Sequence, residues 1–249
     1  MAFSPFVFSP LNICHEAFTL AVFINVPLAL RKTITLTHTE TDMYFDMQAL
    51  EGKNTYKLMG SVVLPRPIAW VVTQSEDGAY NAAPFSFFNV LSGDPPVVAL
   101  GIGHHGEEKK DSLRNIERTG EFVVNLVPAS LLDAMNITAT EYPFHIDELQ
   151  EAGLVTLPSE KVKPGRIAGS PVALECRLWK EIDVDSKRII LLARVEGLHV
   201  DDAAVIDADK CYIDGNKLDL VGRMHGAGWY SRTRDAFQLA RIPYKKTES

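Results

Sequence analysis

A mainly β fold with helical insertions, closed or nearly closed into a barrel, is the class this sequence predicts, and three observations predict it. Short runs rich in β-branched and aromatic residues are bounded by turn chemistry. One late stretch, Val172 to Val184, alternates apolar and polar residues with period two. The helical patterns are confined to the middle of the chain, between strands, where a sheet closed on itself can carry them as excursions.

Taken in order, residues 1–42 differ in character from the rest of the chain. Ala17 to Leu30 is apolar but is interrupted by Asn25 and Pro27, and it is shorter than the about 20 residues a spanning helix needs. Glu16 precedes it while Arg31 and Lys32 come after it, the reverse of a secretory signal. The expectation is a poorly ordered extension ahead of a domain over residues 43–249, with an amphipathic anchor or targeting segment as the alternative. The Arg66-Pro67 step forces an extended entry into a strand over Ile68 to Thr73, and Ser75-Glu76-Asp77-Gly78 then turns the chain. Pro96 to Ile102 is apolar on both faces and reads as a buried strand. Asp111 to Thr119 reads as a helix: Asp111 is placed to cap it, Leu113 and Ile116 are apolar three apart, and Gly120 stops it. Phe122 to Val127 is a further strand, and Ala129 to Thr140 and Ile146 to Ala152 are helical, with Pro143 between them. In Val172 to Val184 the even positions are mostly apolar and the odd ones mostly Glu, Arg and Asp. Ile189 to Val200 is more evenly apolar, and Gly197 in it marks a bulge or a close backbone approach.

Composition narrows the function. With 249 residues, 46% of them hydrophobic, the chain can bury one sizeable core. There are 25 basic against 32 acidic residues and no basic stripe, which sets nucleic-acid binding aside. Cys14, Cys176 and Cys211 are odd in number and far apart, which argues against a disulfide framework or zinc site and for a reducing, cytoplasmic setting. No membrane partner is expected.

Gly101-x-Gly103-x-x-Gly106 comes directly after a strand and matches the dinucleotide fingerprint. The crossover helix and the acidic residue about 20 positions on are both missing, and Glu107 and Glu108 would face the pyrophosphate, so a glycine-rich loop is the better reading. His104 and His105 are adjacent, and His145, His199 and His225 stand at no ligand spacing, so no metal site is expected. Ser86, between two phenylalanines, lacks the setting of a nucleophile.

Two stretches carry more. Asn81 to Asn89 places two amides, a hydroxyl and three aromatic rings in nine residues, a shelf for a flat ligand. Lys109-Lys110-Asp111-Ser112 stands at a helix mouth, where unpaired N–H groups and the helix dipole favour an anion. The dipole supplies about 1 kcal/mol, whereas charge-assisted bonds from Lys110 and Ser112 would supply about 1.5–3 kcal/mol each and decide the matter. The alternative is that Asp111 only caps the helix and the lysines are a solvated face.

Arg66-Pro67-Ile68-Ala69-Trp70-Val71, Asp77-Gly78, Asn81 to Asn89, Asp94-Pro95-Pro96-Val97, Lys110 to Ile116 and Glu121 to Asn125, in that order, resemble the flavin reductase-like family of FMN-binding split barrels. The resemblance runs from about Tyr56 to Pro243, and Ser112 stands where that family more often has threonine. It implies a six-stranded Greek-key split barrel, a homodimer, and FMN held near the subunit interface. By position, Asn81, Ala83, Pro84, Ser86, Phe87 and Asn89 would face the flavin ring and ribityl chain, and Ser86, Lys110, Asp111 and Ser112 would serve its phosphate. Gly222-Arg223-Met224-His225 and Tyr230 resemble the family's closing motif, which makes His225 and Tyr230 candidates to approach the flavin; ordinary core or dimer packing is the alternative for Trp229 and Tyr230. The implied activity passes hydride from NADH or NADPH through FMN to a second acceptor. An FMN-dependent reductase or oxygenase of a small organic substrate, or a non-catalytic flavin or haem carrier, would use the same barrel.

Overall fold

The structure is a computed structural model that describes residues 42–143 and 146–244. The extension expected over residues 1–42 lies, except for Asp42, outside them, as does His145. The chain divides into two compact units, Met1–Leu50 and Glu51–Ser249. In the first, the described residues form an irregular segment with a turn closed by the Ala49 N–H on the Asp46 carbonyl at 3.2 Å. The second carries the sheet, both large cores and the expected site residues.

This second unit opens with helix α1 (Gly52–Val62) and a short strand, β1 (Arg66–Pro67). Next come β2 (Ala69–Gln74), β3 (Tyr80–Phe85), β4 (Phe88–Gly93) and β5 (Pro96–Gly103), then helix α2 (Asp111–Thr119) and β6 (Glu121–Leu126). Helices α3 (Leu132–Thr138) and α4 (Glu148–Glu151) and the short strands β7 (Thr156–Leu157) and β8 (Arg166–Ile167) lead into the long pair β9 (Val172–Asp185) and β10 (Arg188–Val200). Four short strands finish the unit: β11 (Val205–Asp207), β12 (Tyr212–Ile213), β13 (Val221–Arg223) and β14 (Tyr230–Arg232).

Seven of these strands form one antiparallel sheet in the order β3-β2-β6-β9-β10-β5-β4. Its two margins, β3 and β4, are halves of one continuous segment separated only by Ser86 and Phe87. The sheet therefore closes on itself, and with β3–β4 taken as one bent strand the barrel has six strands, the expected fold. At the bend the Gly101 N–H donates to the Phe87 carbonyl at 2.7 Å. A Cβ on Gly101 would stand 3.2 Å from the Phe87 Cβ. That explains the first glycine of the would-be dinucleotide fingerprint: it lets the seam close.

The barrel interior is apolar. Val71, Leu100, Ile102, Phe122, Leu174, Cys176 and Leu191 are buried in one cluster, each large side chain worth about 1.5–3 kcal/mol on full burial. Helix α2 joins the same cluster through Leu113 and Ile116, so it plugs the barrel where the chain jumps from β5 to β6. Gly120 ends it as expected, with φ 72° and its N–H on the Ile116 carbonyl at 2.8 Å. Its start differs from expectation: Lys110 is the N-cap and Asp111 the first helical residue, with no side-chain cap.

β2 is buried on both faces, because its outer residues Trp70 and Val72, with Ile68 just ahead of the strand, pack with Met135 of α3 and Leu149 of α4 in a second core. The Trp70 Nε1–H donates to the Thr138 hydroxyl at 2.9 Å, which satisfies its one polar atom. In β9 the even residues Val172, Leu174 and Cys176 face the barrel core as the period predicts. Ala173 and Glu175 are buried too, Ala173 clustering with Val162 and Glu175 accepting N–H groups of the loop at Glu160 and Lys161. From Lys180 onward β9 is exposed on both faces.

Candidate functional site

β3 pairs with β2 on one side only, in the register Thr73↔Asn81, Val72↔Ala82, Val71↔Ala83 and Trp70↔Pro84. Residues two apart on an antiparallel strand direct their N–H to the same edge. The Ala82 N–H leaves the sheet and donates to the Glu148 carboxylate at 3.1 Å. Two residues on, that edge holds Pro84, which has no N–H to leave unpaired.

A groove of about 490 Å³ runs beside this edge, within the size range of small-molecule sites. Asn81, Ala83 and Pro84 line one side, Lys110, Asp111 and Ser112 of the α2 mouth another, and Thr138 at the end of α3 with residues 139–143 after it a third. Six of the nine residues expected to hold the cofactor therefore share one groove. The two stretches also touch directly: the Ser112 hydroxyl donates to Asn81 Oδ1 at 2.7 Å, and the Lys110 ammonium lies 5.7 Å from the centre of the Phe85 ring.

The charges at the α2 mouth are unequally committed. Lys109 is held by Glu117 at 2.5 and 2.8 Å, and Arg114 donates to the Lys109 carbonyl at 3.0 Å and lies 3.4 Å from Asp111. Lys110 is exposed and has no carboxylate partner among the described residues. Burial pushes the Asp111 carboxyl above its usual range, opposed by Arg114 and reinforced by Glu108. The exposed pair His105–Glu141, at 3.1 Å, joins two walls of the groove and is worth at most about 1 kcal/mol.

Below the groove lies a polar network that the sequence did not announce. Glu148, 6% exposed, accepts from Asn81 Nδ2 at 2.8 Å through one oxygen and from the Ala82 N–H through the other. Asn81 Oδ1 takes the Ser112 hydroxyl and, at 3.3 Å, that of Thr73, to which Asn115 Nδ2 donates at 3.0 Å. Burial raises the Glu148 carboxyl; the hydrogen bonds it accepts oppose that, and the Asp111 charge adds to it. Glu148 sits 67 positions from Asn81, and no spacing rule links them. Its local sign is only the Asp147 cap, whose carboxylate accepts the Leu149 and Gln150 N–H groups and starts α4 there. The other wall residues, 138–143, form a helix end and the loop after it, which carry no motif.

The remaining expected residues lie elsewhere. Ser86 meets Arg66, whose Nε approaches its Oγ at 3.4 Å; Phe87 is half exposed and contacts the Tyr56 ring at 5.7 Å. Asn89 is exposed, its side chain accepting the Val90 N–H at 2.8 Å. His225 stacks on Trp229 at 5.7 Å, and Arg223 lies over the Tyr230 ring at 4.9 Å; neither His225 nor Tyr230 lines the groove. One guanidinium gathers these segments. Buried Arg66 donates to the Gly60 and Val63 carbonyls at 2.6 and 3.1 Å and to Met224 at 3.3 Å, besides Ser86. It thereby joins α1, the seam bend and the β13–β14 loop.

The flavin reductase like domain profile matches residues 59–216, more than half of the chain and both sides of this groove. The chain belongs to the flavin reductase like family. It is 44% identical over 206 residues to an uncharacterized protein of Deinococcus radiodurans, covering 81% of this chain and 90% of that one. Nitrilotriacetate monooxygenase component B from Bacillus cereus superposes with a TM-score of 0.75 at 28% identity, covering 81% of this chain and 100% of that chain. The 2-nitrobenzoate 2-nitroreductase NbaA of Pseudomonas fluorescens also gives 0.75, at 29% identity over 83% of this chain and 100% of its own. Membership of the flavin reductase like family makes the protein a flavin-related oxidoreductase in class. The groove suits such a cofactor. It offers the mouth of a nine-residue helix, a lysine without a carboxylate partner among the described residues, and a strand edge where the Ala82 N–H is taken by Glu148 and Pro84 has none. Among the described residues no three His, Cys, Asp or Glu side chains are placed to hold a metal, and no helix is long and apolar enough to cross a membrane.

Proposed function

We propose that the protein is an FMN-dependent oxidoreductase that takes hydride from NADH or NADPH and delivers it to a second acceptor. The observation that carries this reading is the shared groove. The edge of β3 that would seat the flavin and the α2 mouth that would take its phosphate face the same space, with Lys110 as the available cation. FMN, when bound, supplies the two-electron chemistry, and the protein contributes placement and electrostatics. Lys110 and the first N–H groups of α2 would meet the phosphate. Pro84 and Glu148 leave the β3 edge without a free donor there, so a ring lying along it would find carbonyl acceptors. Arg66 fixes the bend that presents Ser86 and Phe87, the next residues along the seam.

A homodimer belongs to the same proposal. Val90 and Leu91 on β4 are each 60% exposed, Phe87 at the bend 46% and Trp229 in the β13–β14 loop 61%. A second copy covering Val90, Leu91 and Phe87 would also close the seam side of the site. A molecular mass in solution of twice 27.6 kDa is the expected result.

The purified protein should be yellow, or turn yellow with added FMN, and lose that colour anaerobically with one nicotinamide. Lys110→Ala should weaken FMN about ten- to hundredfold, the equivalent of one charge-assisted bond, while riboflavin binding stays within about threefold. Equal losses for both ligands would move the phosphate elsewhere. A second reading, reduction of a small organic substrate, is favoured by the similarity to 2-nitrobenzoate 2-nitroreductase. It would show as reduction of a nitroaromatic compound that outpaces reduction of added free flavin.

A further inference from the structure

Glu148 is the one carboxylate in the groove wall that is almost wholly buried, and its two oxygens hold both a strand-edge N–H and the amide of Asn81. A carboxylate only accepts, so it fixes which end of the Asn81 amide points where: nitrogen to Glu148, oxygen to Ser112 and Thr73. The direction then passes one step further. Ser112 has a single hydroxyl proton, and the Asn81 oxygen at 2.7 Å takes it. What Ser112 turns toward the groove is therefore a lone pair, which a phosphate oxygen does not want.

We propose that Glu148 is a positioning residue that sets the anion affinity of the groove by fixing the direction of the Ser112–Asn81 hydrogen bond. With Glu148 in place, Lys110 and the α2 N–H groups carry phosphate recognition, and the Ser112 proton is withheld. The inference rests on the flavin reading and deepens it, since it names what tunes the phosphate end of that site.

Glu148→Gln tests it. The amide side chain keeps one acceptor and gains a donor, so it cannot accept from both the Ala82 N–H and Asn81 Nδ2. Asn81 turns over, its nitrogen meets Ser112 as an acceptor, and the Ser112 proton is released to the groove. The readout is the ratio of FMN to riboflavin affinity, which cancels effects on the ring site and on general fold integrity. Ser112→Ala should change that ratio by less than about threefold in the wild-type background. In the Glu148→Gln background it should lower the ratio by about tenfold, one charge-assisted bond. Equal losses in the two backgrounds overturn the proposal while leaving the flavin reading intact. If the wild-type protein binds neither flavin, both are overturned. Should Glu148→Gln not fold, Ser112→Ala in the wild-type background decides: a loss below about threefold supports the assignment, and a larger one overturns it.

Discussion

Among single residues, Glu175 shows how burial and hydrogen bonding compete. It is fully buried on β9, and burial pushes its carboxyl up. The Glu160 N–H at 2.9 Å, His199 Nε2 at 2.5 Å and the Lys161 N–H at 2.5 Å outweigh that and hold it below the usual range. A carboxyl lowered in the folded chain contributes stability above its unfolded pKa, and that contribution disappears as pH falls through the folded value. Acid should therefore loosen the loop that Glu175 pins. Glu175→Gln should be less stable at neutral pH, with a urea midpoint that changes less than wild type between pH 7 and pH 4. Residues such as this are hard to read from the chain. Glu175 falls on an odd position of an alternating strand, which predicts exposure to solvent; the loop at 160–161 that covers it is set by tertiary packing. Glu148 is equally hidden, because its role exists only once α4 lies against the edge of β3. By contrast Lys110 and Asn81 are legible, since helix-mouth and shelf chemistry are local.

At the level of elements, the nine residues from Asn81 to Asn89 read in the sequence as a ligand shelf; in the fold three of them line the groove and the segment forms the closing seam. Nothing in their alternation says that β3 and β4 occupy opposite margins of the sheet, because closure depends on the partners β2 and β5. The apolar runs, the stop at Gly120 and the plug residues Leu113 and Ile116 are visible, each resting on a short-range rule. Asp111 lies one position inside the helix start expected for it, because Lys110 adopts the extended cap conformation, φ −62° and ψ 149°, without a side-chain cap. Gly101 ties these elements together. Replacing it with valine places methyl groups against Phe87 at the seam, and overpacking of this kind costs about 1–3 kcal/mol. The expected result is a lower melting temperature, and a weakened flavin site because the bend carrying Ser86 and Phe87 must move. Gly101→Ala should show the same direction with a smaller effect.

For the whole molecule, an acidic chain with two apolar cores is organised so that one helix plugs the barrel and also opens the groove. The fold class is predictable because strand runs and turn residues add up along the chain. The groove is only half predictable because its third wall comes from a loop with no chemical signature. The seam has a further implication for how the protein answers its cofactor. A belt buckled at one point is tightened all the way round by a hand on the buckle, and the ligand would sit beside the buckle, against Ala83 and Pro84 just ahead of the bend. Loading with FMN should slow amide hydrogen exchange in β5 as well as in β2, although the two strands are neighbours of opposite sheet margins. Protection confined to β2 and α2 would mean instead that the bend at Ser86 and Phe87 yields, and the two halves of the barrel respond separately.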